Sequence, residues 1–77
     1  MWGVKLQIKV TYNICSTRKE QGMTLKELSN LSGVSISEIN DIERNLHDAT
    51  VTTLCYIAVA LGVKPQELFV VERIDKK

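Results

Sequence analysis

Two helix-start signals stand eleven residues apart with one glycine between them, which keeps the first helix short. Thr24-Leu-Lys-Glu27 and Ser35-Ile-Ser-Glu38 each place a hydroxyl three residues ahead of a glutamate. In that pairing the hydroxyl and the carboxylate satisfy each other's backbone donors at the first turn of a helix. Gly33 can take the positive φ that ends the first helix. The pattern therefore predicts a short helix over 25–32, a tight turn, and a second helix from 36 to 44 or 45.

The flanks extend the pattern. Thr50 can cap a helix over 51–61 closed by Gly62, and Pro65 suits the first turn of a short helix running to residue 69. Upstream, Val10, Ile14 and Thr17 suggest a helix from residue 10 or 11 to 21, although its β-branched residues are weak helix formers. Before it, Trp2, Val4, Leu6, Ile8 and Val10 alternate with Lys5, Gln7 and Lys9, which is strand periodicity. A second alternating run covers 69–74. We expect short terminal strands at 2–9 and 69–74 that pair either within one chain or between two, around a single domain spanning 1–77 with its core in 10–69.

Composition narrows the rest. With 77 residues and only 5% aromatics, the core must be aliphatic. No apolar run approaches the length of a membrane span, and no leader is recognisable, so a cytoplasmic protein is expected. Cys15 and Cys55 lie in helical patterns far apart; with a lone histidine, His47, they cannot supply the four ligands of a structural zinc site. Two reduced thiols are the expectation. No cofactor, phosphate loop or carboxylate pair suggests an enzyme.

The net charge of +1 is unevenly spread. Lys5, Lys9, Arg18 and Lys19 outnumber Glu20 in 1–23, whereas Glu27, Glu38, Asp41, Glu43 and Asp48 outnumber Lys26 and Arg44 in 24–53. A strong basic stripe, the usual footprint of nucleic-acid binding, is missing from the middle.

On a helical wheel of 36–45, Ile39 and Ile42 face inward, while Ser37, Asn40, Asp41 and Arg44 share the outer face with Ile36 at its rim. Glu38 is assigned to the helix start. Glu43 sits at the edge of the inner face and requires a cationic partner, since a half-buried lone carboxylate is costly. The helix over 25–32 turns Leu28 and Leu31 inward. Two short helices, a glycine turn and this apolar stripe describe a helix-turn-helix unit.

The segment resembles the Cro/CI-type helix-turn-helix family of phage and bacterial regulators across residues 10–69. The resemblance rests on R-x-x-x-G-M-T-x-x-E-L-S, then G-V-S-x-x-x-I-x-x-I-E-R, T-L-x-x-I-A-x-A-L-G-V and P-x-E-L-F, in order. It implies an all-α, five-helix, lambda-repressor-like bundle and a sequence-specific transcriptional regulator that binds double-stranded DNA. It also implies that Arg18 is the partner of Glu43, in a structural ion pair.

By the same resemblance, Thr24, Leu25 and Lys26 would anchor a phosphate from one side, and Arg44, Asn45 and His47 from the other. Ile36, Ser37, Asn40 and Asp41 would meet base edges (Asn40 an adenine, Ile36 a thymine methyl, Asp41 a cytosine amino group), and Ser35 would be a further DNA-binding residue. Two features depart from the family, Ile36 and Ser37 standing where glutamines are common, and the loop NLHDAT with its Asp48. A homodimer is expected, because one short helix reads few base pairs. Tyr56 and Val59 on the outside of 51–61, with Trp2, Val70 and Val71, offer apolar surface for it. The alternative is the same fold used as a protein-binding module, an antitoxin-like partner protein whose acidic helix meets a basic protein.

Overall fold

The computed structural model describes residues 6–74. Strand β1 (Ile8–Tyr12) leads into helix α1 (Ile14–Glu20), followed by α2 (Leu25–Ser32), α3 (Ile36–Glu43) and α4 (Val51–Leu61). A 3₁₀ turn at Pro65–Leu68 then feeds strand β2 (Phe69–Arg73). The two strands form an antiparallel ribbon within one chain, Ile8 opposite Arg73 and Tyr12 opposite Phe69.

The fold is mostly helical but is not the five-helix all-α bundle that the resemblance implies. The fifth helix is reduced to four residues, enough for i→i+3 bonds but not for an α-helical ladder. Immediately after it, Phe69 is extended at φ −147° and ψ 157°. The start of α1 also differs from expectation. Val10, Thr11 and Tyr12 extend β1 rather than opening the helix, as β-branched and aromatic side chains do once a partner strand is present. Asn13 closes the junction: its amide donates to the Leu68 carbonyl at 2.7 Å, and its side chain donates to the Glu67 carbonyl. The part of the first expected strand at residues 2–5 lies outside the described residues.

The core is aliphatic. Ile14, Leu28, Ile39, Ile42, Ile57, Ala58 and Leu68 are fully buried, with Val34, Leu54 and Leu61 nearly so. One expected core residue is misplaced, since Leu31 is 64% exposed and Ser32 is buried in its stead. Ser32 is accommodated because its hydroxyl accepts from the Val34 amide, leaving no unsatisfied polar atom.

Local signals set the helix ends. At α2 both halves of the capping box form: Thr24 Oγ1 accepts from the Glu27 amide and Glu27 Oε1 accepts from the Thr24 amide. At α3 only the Ser35 half forms, its Oγ accepting from the Glu38 amide. Among the described residues the Glu38 carboxylate makes no return bond, so the expected second box is half a box. Gly33 ends α2 in the left-handed conformation, at φ 79°.

Candidate nucleic-acid interface

Helix α3 is aimed by its buried side. Ile39 and Ile42 are inaccessible to solvent, which turns Ile36 and Ser37 outward and leaves Asn40 and Asp41 partly open on the same side. Ser35, at the helix N-cap, is exposed as well. Ser35 and the four residues expected to read bases therefore share one accessible surface.

Arg18 fixes the angle of this helix. Its Nε donates to Glu43 Oε2 at 2.8 Å and its Nη2 donates to Oε1 at 3.0 Å, a two-point contact between α1 and the end of α3. Nη1 donates to the Met23 carbonyl, so the same guanidinium also holds the turn that leads into α2. The side chains are 10% and 5% exposed. Arg18 is held above its ordinary pKa, chiefly by the hydrogen bond to Glu43, with burial opposing. The cation that Glu43 requires is thus the arginine that the resemblance names.

The end of α3 folds back on itself. Arg44 is the C-cap, and Asn45 takes the left-handed conformation at φ 59°, the one non-glycine residue with positive φ among those described. The Leu46 amide then donates to the Asp41 carbonyl at 2.8 Å and the Asn45 amide to the Ile42 carbonyl at 3.0 Å. This pair of bonds is the Schellman closure, in which a short polar residue such as asparagine substitutes for glycine. Helix α3 consequently stops at Glu43, and Asn45 belongs to the turn rather than to the helix.

Beyond that turn the loop is held from the other side by Tyr12. Its hydroxyl donates to Asp48 Oδ1 at 3.2 Å and accepts from the Ala49 amide at 3.1 Å. Asp48, adverse to phosphate on sequence grounds, is therefore engaged by the ribbon. Between the two anchors, His47 Nδ1 lies 3.9 Å from Asp41 Oδ2.

The anchoring end of α2 departs in one respect from expectation. The Thr24 amide is already taken by Glu27, so it is not a donor for phosphate. The Leu25 and Lys26 amides, in the first turn, remain the open donors, and the Lys26 side chain is exposed beside them. The Leu25 side chain packs on the core, which limits its contribution to its backbone.

Sequence reasoning missed Tyr12, which it placed in a helix. The signal was available only in part: a tyrosine with a polar tip beside an alternating run, with nothing to show that its partner lay thirty-six residues away. It also missed Gln21, whose Nε2 donates to the Leu61 carbonyl and ties the end of α1 to the end of α4.

The helix-turn-helix family profile matches residues 16–68. Similar to the chain at 39% identity over 56 residues is an uncharacterized HTH-type transcriptional regulator, y4dJ, of Sinorhizobium fredii (strain NBRC 101917 / NGR234), with 73% of each sequence covered. Among solved structures, the restriction-modification controller protein C.AhdI from Aeromonas hydrophila is similar at a TM-score of 0.69 and 25% identity, over 71% of this chain and 83% of that one. The N-terminal DNA-binding domain of SinR from Bacillus subtilis is similar at 0.67 and 34%, over 70% and 80%. SinR crystallised in complex with DNA also matches at 0.67 and 34%, over 70% and 87%. The chain belongs to the Cro/CI-type helix-turn-helix family of transcriptional regulators.

Proposed function

We infer that this regulator binds double-stranded DNA in a sequence-specific manner, with α3 lying in the major groove. The observation that carries the reading is the division of α3 into a fully buried side, Ile39 and Ile42, and an accessible side bearing Ile36, Ser37, Asn40 and Asp41. The structural likeness to SinR, solved with DNA, supports the same reading.

Anchoring falls to the Leu25 and Lys26 amides and the Lys26 side chain at the start of α2, and to Arg44 and His47 beyond α3. The Thr24 and Ser35 hydroxyls, each accepting from its own helix, retain a proton to donate. Asn40 presents the amide that can pair with both N6 and N7 of an adenine, Ile36 can meet a thymine methyl, and Asp41 can accept from a cytosine amino group. Asp41 repels guanine and thymine, whose major-groove hydrogen-bonding groups are all acceptors, so that acidity there favours choice over strength.

The protein acts as a homodimer in the cytoplasm on this reading. Val51, Tyr56 and Val59 are exposed along α4, and Val59 is 81% accessible. Val70 and Val71 of the ribbon, which lies outside the family match, add apolar surface. Sedimentation equilibrium is expected to show a dimer, and a monomer at high concentration overturns this part.

In vitro selection of bound duplexes, followed by Asn40→Ala, tests the central claim. The substitution should relax preference at one base position per half-site and leave the fold intact. Unchanged selectivity removes Asn40 from the reading set, and failure to enrich any duplex defeats the DNA-binding reading itself.

A further inference from the structure

We propose that Asp41 and His47 form one proton-linked unit on the reading face: docking on DNA draws a proton onto His47, and the imidazolium holds the Asp41 carboxylate. The inference rests on the DNA-binding reading above and deepens it, naming what controls the face.

The juxtaposition is built into the backbone. Asp41 carries both ends of the arrangement, because its carbonyl accepts from the Leu46 amide while its carboxylate stands 3.9 Å from His47. The left-handed Asn45 turns the chain back to make this contact. On the far side, Tyr12 holds Asp48 and Ala49. His47 thus sits between two fixed points, one residue from each, rather than on a free loop. At 3.9 Å the separation is that of an ion pair and not of a hydrogen bond, and the side chains are 45% and 38% exposed. Both can therefore reach a docked duplex and exchange protons with solvent.

The charged surroundings define the sign. Asp41 faces His47 from α3, Asp48 follows it in the loop with its carboxylate engaged by Tyr12, and Arg44 stands at the C-cap of α3. In free solution, water screens these charges and the exposed pair gains little. Against DNA, phosphates add negative charge that favours the protonated imidazole, and the attraction between the imidazolium and Asp41 is less screened, while the loss of hydration opposes both. A carboxylate pressed toward a polyanion without such a cation is repelled. One proton moves from solvent to the imidazole and no other bond changes. By linkage, if DNA raises the proton affinity of His47, protons raise the affinity for DNA by the same factor.

Histidine is the side chain that ordinarily changes charge between about pH 5 and 8, and this chain has one. That makes the assignment clean. The full chain is titrated with its selected duplex from pH 8 to pH 6 at constant ionic strength, with calorimetry in two buffers of different ionisation enthalpy to count protons. Affinity is expected to rise about five- to tenfold over that range, with net proton uptake. His47→Gln should flatten the profile and abolish uptake. Asp41→Asn should show a shallower pH slope than the parent.

A flat profile for the parent, or a slope that survives His47→Gln, overturns the proposal. Both residues are partly exposed and neither supports the core, so these variants keep the fold, which circular dichroism verifies. A chain that prefers no duplex at any pH refutes the DNA-binding reading instead; specific binding without a pH slope refutes this inference alone.

Discussion

Arg18 grips both carboxylate oxygens of Glu43, at 2.8 and 3.0 Å, and by doing so bolts the end of α3 to α1. Replacing either partner leaves the other charge nearly buried and unpaired. Arg18→Ala or Glu43→Ala should each cost about 3–5 kcal/mol in urea denaturation. The double variant Arg18→Met/Glu43→Leu should recover most of that loss, because apolar side chains of similar volume remove both desolvation penalties. A recovered fold that still selects its duplex would show the pair to be structural and absent from base recognition.

The pair also has a defined response to pH. The folded state raises the pKa of Arg18, so the stabilisation contributed through that group is complete below arginine's ordinary value and is lost only as pH rises through the raised one. Unfolding free energy measured between pH 6 and 9 should therefore show no loss that Arg18→Met/Glu43→Leu abolishes.

Much of this arrangement was legible in the sequence, for a physical reason. Caps, glycine turns and the burial of Ile39 and Ile42 follow from interactions within four residues, which a single sequence displays. Leu31 and Ser32 show the limit. Both lie near Leu28 on a helical wheel, at i+3 and i+4, and only the placement of neighbouring helices decided that the serine goes inside. Hydrophobicity alone favours the leucine; the tertiary packing and the Ser32–Val34 bond overrule it. The pairing of the two terminal runs was expected, but not its extent into residues 10–12. Val10 to Tyr12 became strand because Phe69 to Val71 lie opposite, a pairing that no local window contains. At the site, the Glu27 carboxylate occupying the Thr24 amide was implicit in the capping box, yet its cost in phosphate donors emerged only from the geometry.

Asn45 separates conformation from contact. Its left-handed φ of 59° costs most residues about 1–2 kcal/mol but costs glycine nothing of the kind. Asn45→Gly should leave stability within about 0.5 kcal/mol of the parent, whereas Asn45→Val should lower it by about 1–2 kcal/mol. If the Asn45 amide side chain also touches phosphate, the glycine variant will bind DNA more weakly at unchanged stability. Equal affinity for parent and Asn45→Gly assigns the residue to the turn alone.

Tyr12 couples the ribbon to the loop beside the reading face. Tyr12→Phe keeps the ring against the core but deprives the part-buried Ala49 amide of its acceptor and releases Asp48. The expected cost is about 1–2 kcal/mol in thermal or chemical denaturation. DNA affinity should fall further than stability alone explains, because a freed Asp48 adds an unengaged negative charge next to His47. A variant with normal affinity would show that the loop holds its position without the ribbon.

The scarcity of cations on the binding face sets the salt dependence. Lys26 and Arg44 are the exposed full-time cations there, at opposite ends of the α2–α3 unit. Each phosphate neutralised contributes about −0.9 to the slope of log affinity against log salt, which gives about −2 per subunit from these two cations. Such a slope is shallow for a DNA-binding protein, and non-specific binding should be correspondingly weak. Lys26→Gln should reduce the slope by about 1 per subunit and weaken all sequences alike, since a phosphate contact carries no base information. A slope unchanged by Lys26→Gln would mean that the start of α2 faces away from the duplex, and the orientation of α3 along the groove would have to be redrawn.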